Sequence, residues 1–186
     1  MTHDQELMQQ LRRRLGKWNP DELCKHHAGH KSCTFDEQQR LIKLHLCGLR
    51  LSEVPSEVWQ CLTLQRLCLP HNNLQTLSAE LGNLSALQEL DLAFNHLKTL
   101  PEEVGNLSAL QELELFGNEF NTLPTELGKL STLQRLYLAH NKLRTLPAEV
   151  GKLFALQRLY LTDNQLSALP AELGSLSVLQ RLLPTQ

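Results

Sequence analysis

Leu87-Gln88-Glu89-Leu90-Asp91-Leu92-Ala93-Phe94-Asn95-His96-Leu97 is one pass of a pattern, L-x-x-L-x-L-x-x-N-x-L, that the chain repeats at a fixed spacing. The leucines that open each pass, Leu41, Leu64, Leu87, Leu110, Leu133, Leu156 and Leu179, stand 23 residues apart. A period in the range of roughly 20 to 50 residues marks a solenoid, in which each unit stacks on the one before it. Inside a unit, the x-L-x-L-x stretch alternates inward and outward as a short strand does. The second half, L-P-x-E-[L/V]-G in the later units, turns, runs one or two helical turns and is expected to stop at Gly82, Gly105, Gly128, Gly151 or Gly174.

One such unit buries too little apolar surface to offset the backbone entropy of ordering it, so it folds only against neighbours. The expected class is therefore an α/β solenoid. Short parallel strands line one face, helical segments line the other, and the wider helical side bends the stack into an arc with the strands concave. Asn72, Asn95, Asn118, Asn141 and Asn164 each sit where the chain leaves the strand. A buried amide there can bond backbone groups of adjacent turns that would otherwise go unpaired. Leu49 holds this place in the first unit, as expected of a terminal repeat with no predecessor.

The frame divides the chain into a helical N-terminal cap, residues 1–40, and a solenoid, residues 41–186, of six full repeats and one partial. Leu7, Met8, Leu11, Leu15 and Trp18 fall at helical spacing, with Arg12, Arg13 and Arg14 mostly off that face. Asn19-Pro20-Asp21-Glu22 reads as a second helix start, and Thr34 to Arg40 as a lead-in to the first repeat. At the other end, Leu183-Pro184-Thr185-Gln186 supplies no polar cap. An open parallel edge invites pairing, so self-association at the C-terminal end is a second expectation.

These motifs resemble those of the leucine-rich repeat superfamily, in the 23-residue class of intracellular Ras-associated scaffolds and many bacterial repeat proteins. The resemblance covers residues 41 to 183 and implies a curved, non-enzymatic solenoid whose concave face binds a partner protein. Trp18-Asn19-Pro20, Cys24, Cys33 and Arg40-Leu41-Ile42-Lys43-Leu44 resemble the N-terminal cap of plant-type extracellular repeat receptors. That second resemblance implies a Cys24–Cys33 disulfide, although the cysteine spacing is wider than the family shows.

Composition narrows the partner classes. A formal charge of −2 and a pI near 6.4 give no global attraction to nucleic acid or to an anionic membrane. No apolar stretch approaches the roughly 18 residues of a membrane span, and MTHDQELMQQ lacks the apolar run of a secretory signal. A cytoplasmic protein is the expectation, with export by a route that needs no recognisable signal as the alternative. The odd cysteine count, five, then favours reduced thiols. Catalytic motifs such as G-x-S-x-G, H-E-x-x-H and a complete P-loop do not occur, and no cofactor is expected. The glutamates at 57, 80, 103, 126, 149 and 172 recur with the repeat, which marks them as scaffold.

Function is expected on the outward strand positions, which differ from repeat to repeat. Arg66, Glu89, Asp91, Glu112, Glu114, Phe116, Arg135, Tyr137, Arg158 and Tyr160 are the candidate partner-binding residues. They sort into a central acidic segment, edged by Phe94 and Phe116, and an Arg/Tyr segment. Glu89 beside Glu112 puts like charges on adjacent strands, an arrangement destabilising unless a ligand uses it. Seven strands about 4.8 Å apart and about 17 Å long give roughly 500 Å², short of the roughly 800 Å² per partner of a standard interface. Loop residues His71, His140 and Asp163 are therefore expected to join in. A separate cluster, Cys24, His26, His27, His30 and Cys33, contains enough ligands for a tetrahedral zinc site, with Cys24, His26, His30 and Cys33 the candidates; its spacing matches no standard zinc module.

Overall fold

In the computed structural model, residues 2–16 and 33–179 are described in full and residues 181–183 for their backbone. A helix, α1 (His3–Leu15), precedes eight strands: β1 (Cys33–Phe35), β2 (Leu41–His45), β3 (Arg66–Cys68), β4 (Glu89–Asp91), β5 (Glu112–Glu114), β6 (Arg135–Tyr137), β7 (Arg158–Tyr160) and β8 (Arg181–Leu183). They form one sheet in sequence order. From β2 to β8 every neighbouring pair is parallel and offset by one period, so that Leu44, Leu67, Leu90, Leu113, Leu136, Leu159 and Leu182 stand in a single row. Beneath the sheet the opening leucines from Leu41 to Leu156 are fully buried. Phe120 takes the last leucine position of its unit and is fully buried too.

The helical halves depart from expectation in one respect. Each is a five-residue 3-10 turn, as in Ala79–Asn83, Glu102–Asn106 and Thr125–Lys129, and most are entered from a proline. The glycine does not stop the turn but lies inside it. Its reason is packing: a Cβ on Gly82, Gly105, Gly128 or Gly151 would lie 2.5 to 2.9 Å from the carbonyl oxygen of Glu103, Glu126, Glu149 or Glu172 in the following unit. A Cβ on Gly174 meets nothing within 4 Å among the described residues.

The asparagine ladder forms as the sequence predicts. Asn95 is buried; its Nδ2 donates to Leu69 O and Leu92 O at 3.0 Å, and its Oδ1 accepts from Leu74 N at 3.1 Å. Asn72, Asn118, Asn141 and Asn164 repeat the scheme. Each amide thus bridges its own turn and the preceding one.

The N-terminal end is sealed by α1. Thr2 caps it in a reciprocal box with Gln5. Leu7, Met8 and Leu11 are buried against the core, while Asp4 Oδ2 accepts from Leu41 N at 2.7 Å and from Thr63 Oγ1. Arg14 pairs with Glu53 and Glu57. Thr34 and Phe35 do not merely lead in: with Cys33 they form a strand antiparallel to β2, so the sheet has eight strands where the repeat count predicts seven. A short antiparallel strand occupies hydrogen-bonding groups that the first parallel strand would otherwise leave open.

The second helix start at Asn19, the ligands Cys24, His26, His27 and His30, and the Cys24–Cys33 disulfide involve residues outside the described ones. So do Pro184 and the side chains at the C-terminal end on which the self-association reading depends. Among the described residues no group of three or more metal-ligating side chains converges, and no helix is long and apolar enough to cross a membrane.

Candidate functional site

Strand register determines which outward side chains meet. The third position of the pattern gives Lys43, Arg66, Glu89, Glu112, Arg135 and Arg158 in successive strands. Glu89 and Glu112 are direct partners, as expected, but the repulsion between them is offset. Arg66 Nη2 bonds Glu89, and Arg135 bonds Glu112 at 2.6 Å through Nη2 and 2.7 Å through Nε. The four charges run plus, minus, minus, plus, so this part of the acidic segment is neutralised internally. Like-charge strain at Glu89 and Glu112 therefore is not what points to a ligand.

The fifth position is different. Asp91 and Glu114 are partners on β4 and β5, and each carboxylate turns back on its own strand, accepting from Ala93 N at 3.0 Å and Phe116 N at 3.1 Å. Burial pushes the Glu114 carboxyl up to about 8, the bond from Phe116 opposing and the charges of Asp91 and Glu112 adding to the rise. His45 and Cys68, at the same position in β2 and β3, are buried and present little surface.

Because Glu114 holds its proton more tightly in the folded chain than at its ordinary value near 4.5, its contribution to stability is greatest below that value and is lost as pH rises toward 8. The loss runs at about 1.4 kcal/mol per pH unit through that window. Glu114→Gln, which keeps an acceptor for Phe116 N but cannot ionise, is expected to remove the slope. Urea unfolding of both chains at pH 5.5 and 8.0 measures it; parallel pH profiles would contradict the neutral-acid assignment.

At the strand exits the eighth residue of each of the first six units, Gly48, His71, Phe94, Gly117, His140 and Asp163, adopts a left-handed conformation, with φ between 53° and 67°. This turn aims the side chains of one column along the rim. His71 stacks on Phe94 (4.4 Å, 9°), Phe94 meets Phe116 edge-on (5.0 Å), and Phe116 meets His140 edge-on (4.7 Å). A Cβ on Gly117 would come within 3.0 Å of the Phe94 ring, so the glycine also makes room for it. The histidines were expected to extend the face, but their joining Phe94 and Phe116 in one aromatic row was not legible from spacing. The available signal was the glycine at two of the six eighth positions, Gly48 and Gly117, which marks a place where φ > 0 is required.

Tyr137 and Tyr160, partners on β6 and β7, stack at 4.8 Å and 9° beside Arg135 and exposed Arg158. His140 Nε2 lies 3.1 Å from Asp163, drawing both loop residues to the same rim. Two depressions open on the face: one of about 260 Å³ lined by His71, Asp91, Phe94, Glu114 and Phe116, and one of about 250 Å³ lined by Arg66, Glu89, Asp91, Glu112 and Glu114. They abut at Asp91 and Glu114. The described face therefore joins Arg66, Glu89, Asp91, Glu112, Glu114 and Phe116 in its centre and sets the Arg/Tyr group beyond them.

In-register parallel strands, an asparagine ladder and a variable outward face define a repeat solenoid of the kind built for interaction. A leucine-rich repeat region matches residues 103–185, and a second leucine rich repeat family matches residues 39–97 and 63–120. The chain belongs to the leucine-rich repeat superfamily, generally a non-enzymatic protein-interaction fold. No curated protein sequence gives a significant match. Among solved structures, a leucine-rich repeat protein of Leptospira interrogans is 38% identical over 78% of this chain and 43% of its own, with a TM-score of 0.64. The ectodomain of the Arabidopsis receptor kinase HAESA, in complex with a peptide hormone ligand, is 27% identical over 97% of this chain and 32% of its own (TM-score 0.76). The BIR3–SERK2 complex of Arabidopsis thaliana contributes a match of 26% identity over 88% of this chain and 93% of that one (TM-score 0.64). The chain thus spans less than half the length of the first two.

Proposed function

We propose that the concave sheet face docks a partner protein, and that the central carboxylate and aromatic groups together with the Arg/Tyr group select it. One observation carries this reading: along β4, β5, β6 and β7 the roles of residues separate cleanly. Inward leucines are alike and fully buried, whereas outward residues differ by unit and form a continuous row of ion pairs, carboxylates and stacked rings. None of these outward groups is needed to fill the core. Tyrosine and arginine combine contact area with directional hydrogen bonding, which is why such pairs recur at the energetic centres of interfaces. Structures similar to this chain hold peptide or protein partners, and that kind of occupant suits a shallow strip broken by two depressions. A reducing cytoplasm is the proposed setting; the Cys61 thiol, pushed up to about 12 by burial, is inert there.

The test is affinity for a partner recovered from the native source and then titrated as a purified protein. Tyr137→Ala and Arg158→Ala are each expected to weaken binding about tenfold with the circular dichroism and melting temperature unchanged. Lys152→Ala, on an exposed 3-10 turn of the convex side, should leave it intact. Sensitivity at Lys152 with indifference at Tyr137 and Arg158 would move the docking surface off the sheet.

A further inference from the structure

The depression at the rim of β4 and β5 has a composition that specifies its occupant. Its walls are the rings of Phe94, Phe116 and His71, which stacks on Phe94, and its carboxyl lining is the pair Asp91 and Glu114. Phe94 is 46% exposed, so the core does not account for an aromatic at this place. The equivalent positions Gly48 and Gly117 show that the fold accepts glycine there. In the neighbouring column each carboxylate, Glu89 and Glu112, has its own arginine. Glu114 has none: among the described residues its hydrogen-bond partner is Phe116 N, and the charges that act on it, Asp91 and Glu112, are negative.

A volume of about 260 Å³ admits one long side chain, not a helix or a folded loop. Aromatic faces beside a carboxylate attract a cation, and a cation entering here favours the ionised form of Glu114, whose proton passes to solvent; a planar guanidinium suits such a site better than an ammonium. It is more weakly hydrated, stacks on rings and offers paired N–H donors to a carboxylate. We propose that this depression is the receptor for an arginine side chain presented by an extended segment of the partner, the guanidinium lying against Phe94 and Phe116 and donating to Glu114 and Asp91. It rests on the reading of the sheet as a docking face, and sharpens it by naming the partner's chemistry.

The complementary charge of the rest of the face gives the segment a direction. Beyond the Arg135–Glu112 pair the outward groups are exposed Arg158 and the tyrosine pair, which favour an acidic or hydrogen-bond-accepting stretch. A partner carrying a basic residue followed across the strands by acidic ones satisfies both regions. That order is independent of the depression's own occupant.

The probes are three pentapeptides, acetylated and amidated, with glycine at every position except a central arginine, lysine or citrulline. They are titrated into the whole chain while the backbone amide resonances of Ala93 and Phe116 are followed. Expected is saturable movement of both signals with the arginine peptide, binding at least fivefold weaker with lysine, and no response to citrulline, which keeps the shape but not the charge. Glu114→Gln and Phe94→Gly should each weaken arginine binding at least tenfold while the other amide signals keep their positions. Equal responses to arginine and citrulline, or arginine shifts confined to strands β6 and β7, would overturn the assignment. If the purified partner still binds the Phe94→Gly, Glu114→Gln double variant at full strength but loses affinity with Tyr137→Ala, the arginine site is wrong and the docking face stands. If neither change affects partner binding, the docking face itself fails.

Discussion

Asn95→Leu is expected to cost about 2–4 kcal/mol of folding stability, although leucine is the commonest residue in this core and has the same branching and number of side-chain heavy atoms as asparagine. The reason is hydrogen bonding. Asn95 Oδ1 is the acceptor for Leu74 N, a buried backbone group of the preceding turn. Without it that N–H is left dry and unpaired, at about 1–3 kcal/mol, and the bonds to Leu69 O and Leu92 O go as well. Those two carbonyls are not orphaned, because each is shared with a neighbouring asparagine: Leu69 O also accepts from Asn72, the one before, and Leu92 O from Asn118, the one after. The ladder is therefore redundant for acceptors and single for donors.

That asymmetry predicts coupling. Asn95→Leu combined with Asn118→Leu removes both donors from Leu92 O, so the pair should cost more than the sum of the single changes by at least about 1 kcal/mol. Asn72→Leu with Asn118→Leu shares no carbonyl in this way and should be close to additive. Equilibrium unfolding in urea on the four chains of each cycle decides it. Additivity in the first cycle would mean that water or a backbone shift satisfies Leu92 O.

Gly128→Ala and Gly151→Ala are expected to destabilise by about 1–3 kcal/mol each, while Gly174→Ala, the same substitution in the same motif, should be neutral or stabilise by up to about 1 kcal/mol. A methyl on Gly128 would sit 2.5 Å from Glu149 O and 2.7 Å from Glu149 Cβ. On Gly151 it would sit 2.5 Å from Glu172 Cβ and 2.6 Å from Glu172 O. The atoms it strikes are backbone or rigidly attached to it, so relief requires neighbouring turns to separate along the whole convex side. At Gly174 no described atom lies within 4 Å, and the alanine then gains by restricting the unfolded chain. Equal melting temperatures for the three variants would show that glycine serves the turn's own conformation and not the contact between turns.

The repeated features were readable from the sequence because they answer to one-dimensional rules. Leucine spacing gave the period, alternation gave the strands, and the asparagine column gave the ladder; β2 to β8 and the buried row beneath them follow directly. The N-terminal helix was readable for the same reason, since Leu7, Met8 and Leu11 fall on one face. Strand β1 was not. Cys33-Thr34-Phe35 is three residues long, too short for periodicity, and its strand character comes from the open edge of β2. Spacing alone does not fix the role of the convex glycines, because a glycine at the end of a motif looks the same whether it stops a turn or admits its neighbour.

Candidate site residues were located by column, and the columns were right about adjacency but silent about satisfaction. Glu89 and Glu112 looked like the heart of an acidic patch; in three dimensions Arg66 and Arg135 reach across and neutralise them. Glu114, from the same segment, is paired with no cation among the described residues, and burial raises its carboxyl to about 8. Whether a carboxylate is paired depends on side-chain reach between strands, which the repeat places in contact but does not orient.

By itself the sequence determined the class of fold, the number of stacked units it frames and the identity of the interior, because a 23-residue leucine frame has one way to bury its apolar face: against a copy of itself. Only the tertiary structure decided which outward groups are available. Left-handed turns swing His71, Phe94 and His140 into a row with Phe116, cross-strand arginines quench half of the acidic segment, and burial sets Glu114 apart from its neighbours. Those outcomes depend on distances of a few ångströms between units 23 residues apart, and electrostatics and ring stacking act over just that range.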